Sequence, residues 1–294
     1  MTPMTPERLD ADPEDIDDEE DLHEQLVGEA SAEWGRLNAR TIGTLAIVLG
    51  SLVIVVLFGG GGRSFRIDAT GDPDLTFDWS FFWALVPSFL EALWVTAQAT
   101  IAGFLVAVVV GLALALGRRS TRRWISWPTA SAIEFVRSTP LLVQLYFIYF
   151  ALPELGIVLG SMTALILGLG VHYGTYCSEA YRAGIDSVPK GQWEAATAMN
   201  LGPATTWGRV ILPQAIPNVL PALGNFFVAA FKDAPLGSAI QVTGVLFWAR
   251  TVSGRTFRYV ETYTLVGIGF LLVSISAAWL IRRMERRIGY DRLD

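Results

Sequence analysis

Six long apolar runs dominate the chain, and polar segments separate them. The first run, at 41–58, has 18 residues without a charge, which is the lower limit for a helix that crosses a bilayer. The runs predict six transmembrane helices at 41–58, about 87–116, within 124–152, about 158–181, 211–231 and about 260–281. The sequence therefore predicts an all-α membrane protein built as a polytopic bundle of about six transmembrane helices.

The basic residues predict which side of the membrane each connecting segment occupies. An even number of spans places both termini on one side. Segments on that side hold fifteen lysines and arginines, whereas the opposite segments at 59–80 and 232–258 hold six. Because basic residues concentrate in cytoplasmic segments, we predict that the N and C termini are both cytoplasmic.

Small residues recur along one side of the predicted second span. They are Thr96, Thr100, Gly103, Ala107 and Gly111. Small side chains let two helix backbones approach closely in a membrane. We interpret this stripe as a helix-packing surface rather than a substrate pathway.

Composition supports a membrane protein and divides the charge between two parts of the chain. The 294 residues are 52% hydrophobic and 17% charged, with a mean hydropathy of +0.43, whereas about a quarter of a soluble protein is charged. The net charge of −6 combines −12 in residues 1–33 with +6 in the remainder. An acidic segment of this kind buries too little apolar surface to fold, so we predict a disordered cytoplasmic tail at 1–35, with a binding role as the alternative. We attribute the positive charge of the remainder to basic residues in cytoplasmic segments of a membrane protein, and we expect no nucleic-acid partner.

Residues able to support catalysis or bind a metal are scarce. The single cysteine, Cys177, excludes an internal disulfide, and His23 and His172 have no metal-binding spacing. We interpret His172 as a hydrogen-bonded bundle residue, next to Tyr173 and Tyr176, which could line a cavity. Neither Gly-x-Ser-x-Gly nor His-Glu-x-x-His occurs, so an intramembrane enzyme and a non-transporting scaffold are weak alternatives. No catalytic residue and no metal site are predicted.

The segment between the fourth and fifth predicted spans has a distinctive local pattern. Ser187 can cap a helix and Pro189 suits a first turn, which predicts a short helix at about 189–199. Asn200 and Gly202 can both adopt left-handed backbone geometry, which predicts a sharp bend before a second short helix.

One face of the predicted short helix combines an aromatic residue with small ones. Trp193, Ala196 and either Met199 or Asn200 share this face, where a partner's backbone could approach closely. The alternative that the residues alone leave open is an amphipathic linker that rests on lipid headgroups.

The same segment resembles the EAA loop of ABC-type importer permeases. The family pattern is Glu-Ala-Ala, three residues, Gly, nine residues, an aliphatic residue, one residue and Leu-Pro. Here Val210 fills the aliphatic position, and Asn200 replaces the glycine as the other residue type best able to keep the turn. The resemblance implies an ATPase-coupling loop at about 186–213. Its candidate residues are Pro189, Gly191, Gln192, Trp193, Glu194, Ala195, Ala196, Asn200, Leu212 and Pro213.

Longer sequence words narrow the resemblance to the polar amino-acid uptake permeases over about 85–288. They include Val-Pro-Lys-Gly-Gln-Trp-Glu-Ala-Ala, Ile-Leu-Pro-Gln-Ala, the stretch from Glu134 to Gln144 and Phe-Lys-Asp at 231–233. The words Lys-Asp-Ala-Pro-Leu at 232–236 and the stretch 256–267 resemble ectoine and hydroxyectoine permeases.

The resemblance implies a multi-pass permease of the bacterial plasma membrane and a domain division. A first transmembrane helix and its extracytoplasmic loop at 36–80 would precede a five-helix type I ABC importer permease core at 81–288. A short C-terminal tail at 289–294 would follow the core.

The resemblance also implies the partners of the chain. A separate cytoplasmic ABC ATPase dimer would bind ATP and Mg²⁺, which agrees with the lack of a Gly-x₄-Gly-Lys-Ser/Thr phosphate loop in this sequence. The chain itself is expected to bind no cofactor and not to be an enzyme. Further expected partners are a second permease, identical or paralogous, an extracytoplasmic solute-binding protein, a small zwitterionic substrate and the lipid bilayer. Ectoine or hydroxyectoine is the favoured substrate among polar amino acids and similar zwitterions, moved by alternating access.

Polar residues of the fifth predicted span are candidates for the substrate pathway. Asn218, Asn225 and Lys232 recur every seven residues and therefore lie near one helix face. Polar groups at bilayer depth face the bundle or a water-filled cavity, although structural hydrogen bonding is an equally weighted alternative. Gln144 and Asp233, which lie in the segments that resemble the uptake permeases, complete this candidate set.

Two charged pairs have helical spacing. Glu134 and Arg137, like Glu179 and Arg182, are three residues apart and can each form a local salt bridge. We interpret both as structural or gate-positioning pairs in preference to substrate contacts.

Overall fold

The fold is described from a computed structural model that covers residues 77–288, with side chains as far as Arg283. Every regular element within that range is helical, which confirms the all-α prediction. The α-helices are α1 Trp79–Arg118, α2 Arg123–Arg137, α3 Leu141–Tyr146, α4 Ser161–Asp186, α5 Lys190–Ala198, α6 Pro203–Thr205, α7 Leu212–Asp233, α8 Val245–Thr256 and α9 Tyr259–Ile288. Two π-helical turns, Phe147–Ala151 and Thr206–Ile211, and two 3₁₀ segments, Leu152–Leu155 and Ala234–Ile240, adjoin them. The predicted acidic tail, the predicted first span and the C-terminal tail lie outside the described residues.

Several helices have the length and apolarity of membrane spans. Three such helical stretches are Trp79–Arg118, Pro203–Ile240 and Tyr259–Arg283. A fourth span results if α2 and the following Leu141–Leu155 are counted together, and these two halves meet at a bend of 104°. The six-span count and the cytoplasmic placement of both termini remain predictions.

Helix α4 occupies the predicted fourth span but is less apolar than a lipid-facing helix. It packs along α1 and also against α7, and thirteen of its 26 residues are buried. Glycines such as Gly170 and Gly174 replace bulky side chains where Val106 and Val110 of α1 approach. Because half of the residues of α4 are buried against other helices, α4 does not need an apolar surface on every side.

The small-residue stripe of α1 is buried, with Gly103 and Gly111 against α4 and Thr96 against the start of α8, which confirms its interpretation as a packing surface. A Cβ atom added at Gly111 would lie 2.6 Å from Cβ of Cys177 and 2.9 Å from the carbonyl oxygen of Gly174. The second contact is with backbone, which cannot move aside as a flexible side chain can.

Gly111→Ala should therefore destabilise the protein by about 1–3 kcal/mol through overpacking. The matched control is Gly267→Ala on α9, where an added Cβ would meet nothing within 4 Å. The control should be neutral or stabilise the helix by up to about 1 kcal/mol. Thermal unfolding of the two variants in detergent measures the difference, and equal midpoints would contradict the close α1–α4 approach.

Helix α8 lies within 232–258, a segment for which no helix was predicted from the sequence. Its twelve residues bury Val245, Ala249 and Ser253, and Trp248 packs on Phe89 of α1 with ring centroids 5.6 Å apart. The Val245 amide donates a hydrogen bond to Oγ1 of Thr96 at 3.0 Å. The three arginines at 250–258 lower the hydropathy of this segment, which is why a search for long apolar runs misses the helix.

A charged cluster, which we call the Arg258 cluster, joins the start of α1 to the start of α9. Its members are Asp78, Phe81, Arg258 and Glu261. Nη1 of Arg258 lies 3.1 Å from Oδ2 of Asp78 and 3.2 Å from Oε1 of Glu261, and its guanidinium carbon is 5.2 Å from the Phe81 ring centroid. Glu261 is completely buried, and its Oε1 also accepts a hydrogen bond from the Asp78 amide at 3.1 Å. The cluster thus holds the starts of α1 and α9 together at this end of the helix bundle.

Asp78 also caps α1. Its Oδ1 accepts hydrogen bonds from the Ser80 hydroxyl at 2.6 Å and the Phe81 amide at 2.9 Å. These two bonds, led by the one from Ser80, hold the pKa of Asp78 below its usual value. The contribution of this cap to stability is therefore present above the ordinary pKa of an aspartate and is lost as the pH falls through the lowered pKa.

Candidate functional site: a coupling hairpin and an interhelical polar cluster

Residues 189–211 form a helical hairpin, here called the coupling hairpin, at the end of α4 and the start of α7. The helix predicted at about 189–199 is present as α5, Lys190–Ala198. The predicted cap at Ser187 is wrong, because Pro189 precedes the helix without a side-chain cap and the Ser187 hydroxyl donates to the Gly184 carbonyl at 2.7 Å. Ser187 instead completes the end of α4 and accepts a hydrogen bond from Nδ2 of Asn218 at 2.8 Å.

The sharp bend of the hairpin depends on Asn200. Its φ of +53° is left-handed, as predicted, whereas Gly202 has a φ of −64° and does not adopt that geometry. The Leu201 amide donates to the Ala196 carbonyl at 3.0 Å and the Asn200 amide to the Thr197 carbonyl at 2.9 Å. This pair of bonds is a Schellman motif, in which asparagine substitutes for the usual glycine.

The two faces of α5 differ from the predicted arrangement. Trp193 and Ala196 do not face outward: Ala196 is 2% exposed, and Trp193 packs edge-on against Trp207 with centroids 5.4 Å apart. Trp193 lies against a hydrophobic cluster centred on Val188, Ile211 and Ala215.

The outward face of the hairpin is small and partly apolar. Met199 is 71% exposed at the bend. The exposed candidates of the coupling loop are Pro189, Gly191, Gln192, Glu194, Ala195, Asn200, Leu212 and Pro213. Oε1 of Gln192 is 3.4 Å from Nε2 of Gln214 on α7, which adds a polar contact between the two arms.

An ion-pair network joins the ends of α1 and α4 next to the hairpin. The predicted Glu179–Arg182 pair forms, with Nη2 of Arg182 2.7 Å from Oε2 of Glu179. Arg118 lies 2.5 Å from the other Glu179 oxygen, and Arg119 is 2.6 Å from Asp186. Spacing along one helix could indicate the first pair but not those made by α1.

The predicted Glu134–Arg137 salt bridge is wrong. Neither residue forms an ion pair within the part of the chain that the structure describes, and Glu134 is exposed. The guanidinium carbon of Arg137, at the end of α2, instead lies 5.0 Å from the ring centroid of Tyr176 on α4. A cation–π contact with a neighbouring helix has replaced the local pair.

Gln144 supports the bend between α2 and α3. Its Nε2 lies 2.7 Å from the Val136 carbonyl and 2.9 Å from the Thr139 carbonyl, two groups at the break between the helices. The same atom is 3.1 Å from Nδ1 of buried His172, which agrees with the interpretation of His172 as a hydrogen-bonded bundle residue.

The seven-residue series on α7 does not lie in one environment. Asn218 belongs to the junction with Ser187, while Asn225 and Lys232 are exposed on the chain surface. Asp233 is half-buried and accepts a hydrogen bond through Oδ2 from the Tyr173 hydroxyl at 2.7 Å.

Polar and aromatic groups of α2, α4 and α7 meet in one place, here called the Tyr176 cluster. Its members are Arg137, His172, Tyr173, Tyr176 and Asp233. The rings of Tyr173 and Tyr176 are 6.0 Å apart, and that of His172 is 5.4 Å from each. The cluster has a cation at one end and a carboxylate at the other. The described residues contain no group of three or more His, Cys, Asp and Glu side chains that could hold a metal ion.

Comparison with known proteins identifies the family. Residues 107–290 match the binding-protein-dependent transport system inner membrane component family. A probable amino-acid ABC transporter permease, y4tG of Sinorhizobium fredii, is 43% identical over 74% of this chain and 92% of its own length. The glutamine transport permease GlnP of Escherichia coli is 33% identical over 73% of this chain and 99% of its own length.

A solved structure has the same fold. The crystal structure of an amino acid ABC transporter with histidines is 34% identical, with a TM-score of 0.69 over 72% of this chain and 99% of that chain. The inward-facing MetNI methionine transporter, at 20% identity and a TM-score of 0.56, shares the fold. The chain belongs to the family of inner-membrane components of binding-protein-dependent transport systems. It is thus an ABC permease subunit, a class that works with an ATPase and a binding protein.

Proposed function

We propose that this subunit moves a polar amino acid or an amino-acid-like zwitterion across the bacterial plasma membrane by alternating access. The observation that carries the proposal is the coupling hairpin, which is fixed to the start of α7 by its inner face and exposes the face bearing Ala195 and Met199. A rigid arm with an unpartnered outer face suits the transmission of motion from a separate ATPase, which would supply ATP and Mg²⁺. A second permease, identical or paralogous, would complete the pore.

The Tyr176 cluster supports a zwitterionic substrate. Arg137 offers a cation for a carboxylate, and Asp233 offers an anion for an ammonium or amidinium group. Polar and ionisable residues between transmembrane helices are costly unless they serve a pathway or a partner. The aromatic rings between the two charges provide an apolar surface for a side chain of the substrate.

Two kinds of evidence bear on which substrate within this class the subunit carries. Relatives include permeases named for glutamine and L-cystine, each at least 32% identical to this chain. The words at 232–236 and 256–267 resemble ectoine permeases, which favours ectoine or hydroxyectoine within the zwitterion class. Uptake by proteoliposomes that contain the full importer, with labelled glutamine, cystine or ectoine in parallel, distinguishes them. The proposal would be contradicted if the importer took up none of these three compounds, and no other polar amino acid, in an ATP-dependent manner.

Alternating access follows from the mechanical arrangement. ATP binding would bring two ATPase subunits together and move the two docked coupling hairpins toward each other, and hydrolysis would reset them. The ATPase shifts the equilibrium only if it contacts the two permease conformations differently. The exposed face of α5 is the surface through which such a difference can act.

Cysteine cross-linking tests the direction in which α5 faces. Ala195→Cys should cross-link to a cysteine in the docking groove of the ATPase through a short bifunctional maleimide, because Ala195 is exposed. Ala196→Cys, one position later, is the matched control and should react at least tenfold less, because Ala196 is 2% exposed. Equal products from both positions, or none from Ala195 across several linker lengths, would contradict docking through this face.

A further inference from the structure

A basic surface lies where the end of α1 meets the start of α2. We call residues 118–127 the basic corner. It holds Arg118, Arg119, Arg122 and Arg123, all exposed. The corner is at the same end of the bundle as the coupling hairpin, because its arginines reach the last turns of α4, from which the hairpin continues.

The four arginines have different surroundings. Arg118 and Arg119 pair with Glu179 and Asp186, which fixes the corner to α4. Arg122 and Arg123 form no ion pair with any residue between 77 and 283. Their positive charge is therefore available to a ligand from outside the bundle.

Two tryptophans project beside these free charges. Trp124 is 70% exposed and Trp127 is 78% exposed, and they are three residues apart on one face of α2. The guanidinium carbon of Arg122 is 6.0 Å from the Trp124 ring centroid. Ile133 is the one buried residue among the fifteen of α2. Exposed tryptophans next to arginines are typical of helices at the headgroup level of a bilayer.

From this combination we infer that the basic corner binds the headgroup of an anionic phospholipid. Arg122 and Arg123 would donate charge-assisted hydrogen bonds to the phosphate, and the two indole rings would lie at the boundary between headgroup and acyl chain. Because Arg118 and Arg119 tie the corner to α4, a bound lipid would hold this end of the bundle at a fixed depth. The inference concerns the chain alone and does not depend on the transported substrate.

A photo-cross-linking experiment tests the occupant directly. The full-length protein, with p-benzoylphenylalanine at exposed Thr121, is reconstituted into vesicles of equal parts phosphatidylglycerol and phosphatidylcholine and irradiated. Mass spectrometry of the labelled protein should show phosphatidylglycerol adducts in excess over phosphatidylcholine adducts. Arg122→Gln with Arg123→Gln should lower that ratio about tenfold, since each arginine near an anionic surface contributes a severalfold preference.

The matched control is Arg250→Gln with Arg255→Gln on α8, which removes the same charge from exposed arginines elsewhere in the chain. The control should keep the wild-type adduct ratio. Equal amounts of the two lipid adducts in the wild type would overturn the inference. So would a main adduct with a peptide from residues 1–33, which would mean that the acidic segment of the chain occupies the corner.

Discussion

Arg258→Ala should lower the free energy of unfolding by about 3–5 kcal/mol, the usual cost of removing one partner from a buried ion pair. Glu261 is completely buried, and its Oε2 already has no hydrogen-bond partner among the described residues. Removal of Arg258 would leave this carboxylate with the Asp78 amide alone. The fall in unfolding free energy is measured by denaturation of the purified protein in detergent.

A double substitution distinguishes charge from packing at this site. Glu261→Gln in the Arg258→Ala background should recover part of the lost stability, because a neutral amide costs less to bury than an unpaired carboxylate. Arg255→Ala, on the exposed side of α8, should change stability by less than about 0.5 kcal/mol. A full loss in the double variant would show that the ring contact with Phe81, not the ion pair, stabilises this end of the bundle.

Asp233→Asn should reduce substrate uptake by about 10- to 100-fold without unfolding the protein. The amide has the same shape and can still accept the hydrogen bond from the Tyr173 hydroxyl, which lies 2.7 Å from the carboxylate. It lacks the charge that a substrate ammonium or amidinium group requires, and hydrogen bonds to charged groups contribute about 1.5–3 kcal/mol. Initial rates of ATP-dependent uptake in proteoliposomes measure the loss.

Tyr173→Phe is the companion variant, since it removes the hydroxyl and keeps the carboxylate. It should reduce uptake less than tenfold, because the charge of Asp233 remains and only its positioning is loosened. If Asp233→Asn transports at the wild-type rate, Asp233 has no role in substrate recognition. If Tyr173→Phe causes the larger loss, the hydroxyl rather than the carboxylate contacts the substrate.

The long apolar helices could be predicted from sequence because lipid-facing surface has to be apolar along its whole length. Helix α1 and the α9 span follow this rule closely. Two elements follow it less well for physical reasons. Helix α4 is half buried and uses glycine for close packing, and α8 carries three arginines in or next to a helix too short to form an apolar run.

The backbone of the coupling hairpin was predictable because it depends on local chemistry. Pro189 precedes its helix, and Asn200 supplies the left-handed turn. The direction in which α5 faces was not predictable, because a helix face of small residues can pack either against a partner protein or against the rest of its own chain. Trp193 packs inward because Ile211 and Ala215, more than a dozen residues later, provide the matching surface, and Ala196 on the same helix is buried as well.

The polar site could be predicted only in part. Asp233 was a candidate, but its partner Tyr173 and the guanidinium–ring contact of Arg137 with Tyr176 join different helices. Spacing along one helix cannot reveal such contacts. A seven-residue repeat placed Asn218 beside Asn225, although the first bonds to Ser187 and the second is exposed.

The packing of α5 against α7 connects the coupling hairpin to the far end of α7. Trp193 and Ile211 of the hairpin pack in one cluster with Ala215 near the start of α7, a 22-residue helix that is about 33 Å long at 1.5 Å per residue. The far end of that helix is Asp233. A displacement of the hairpin would therefore reach the carboxylate only along the whole of α7, in which Pro217 and Pro221 each remove one helical hydrogen bond.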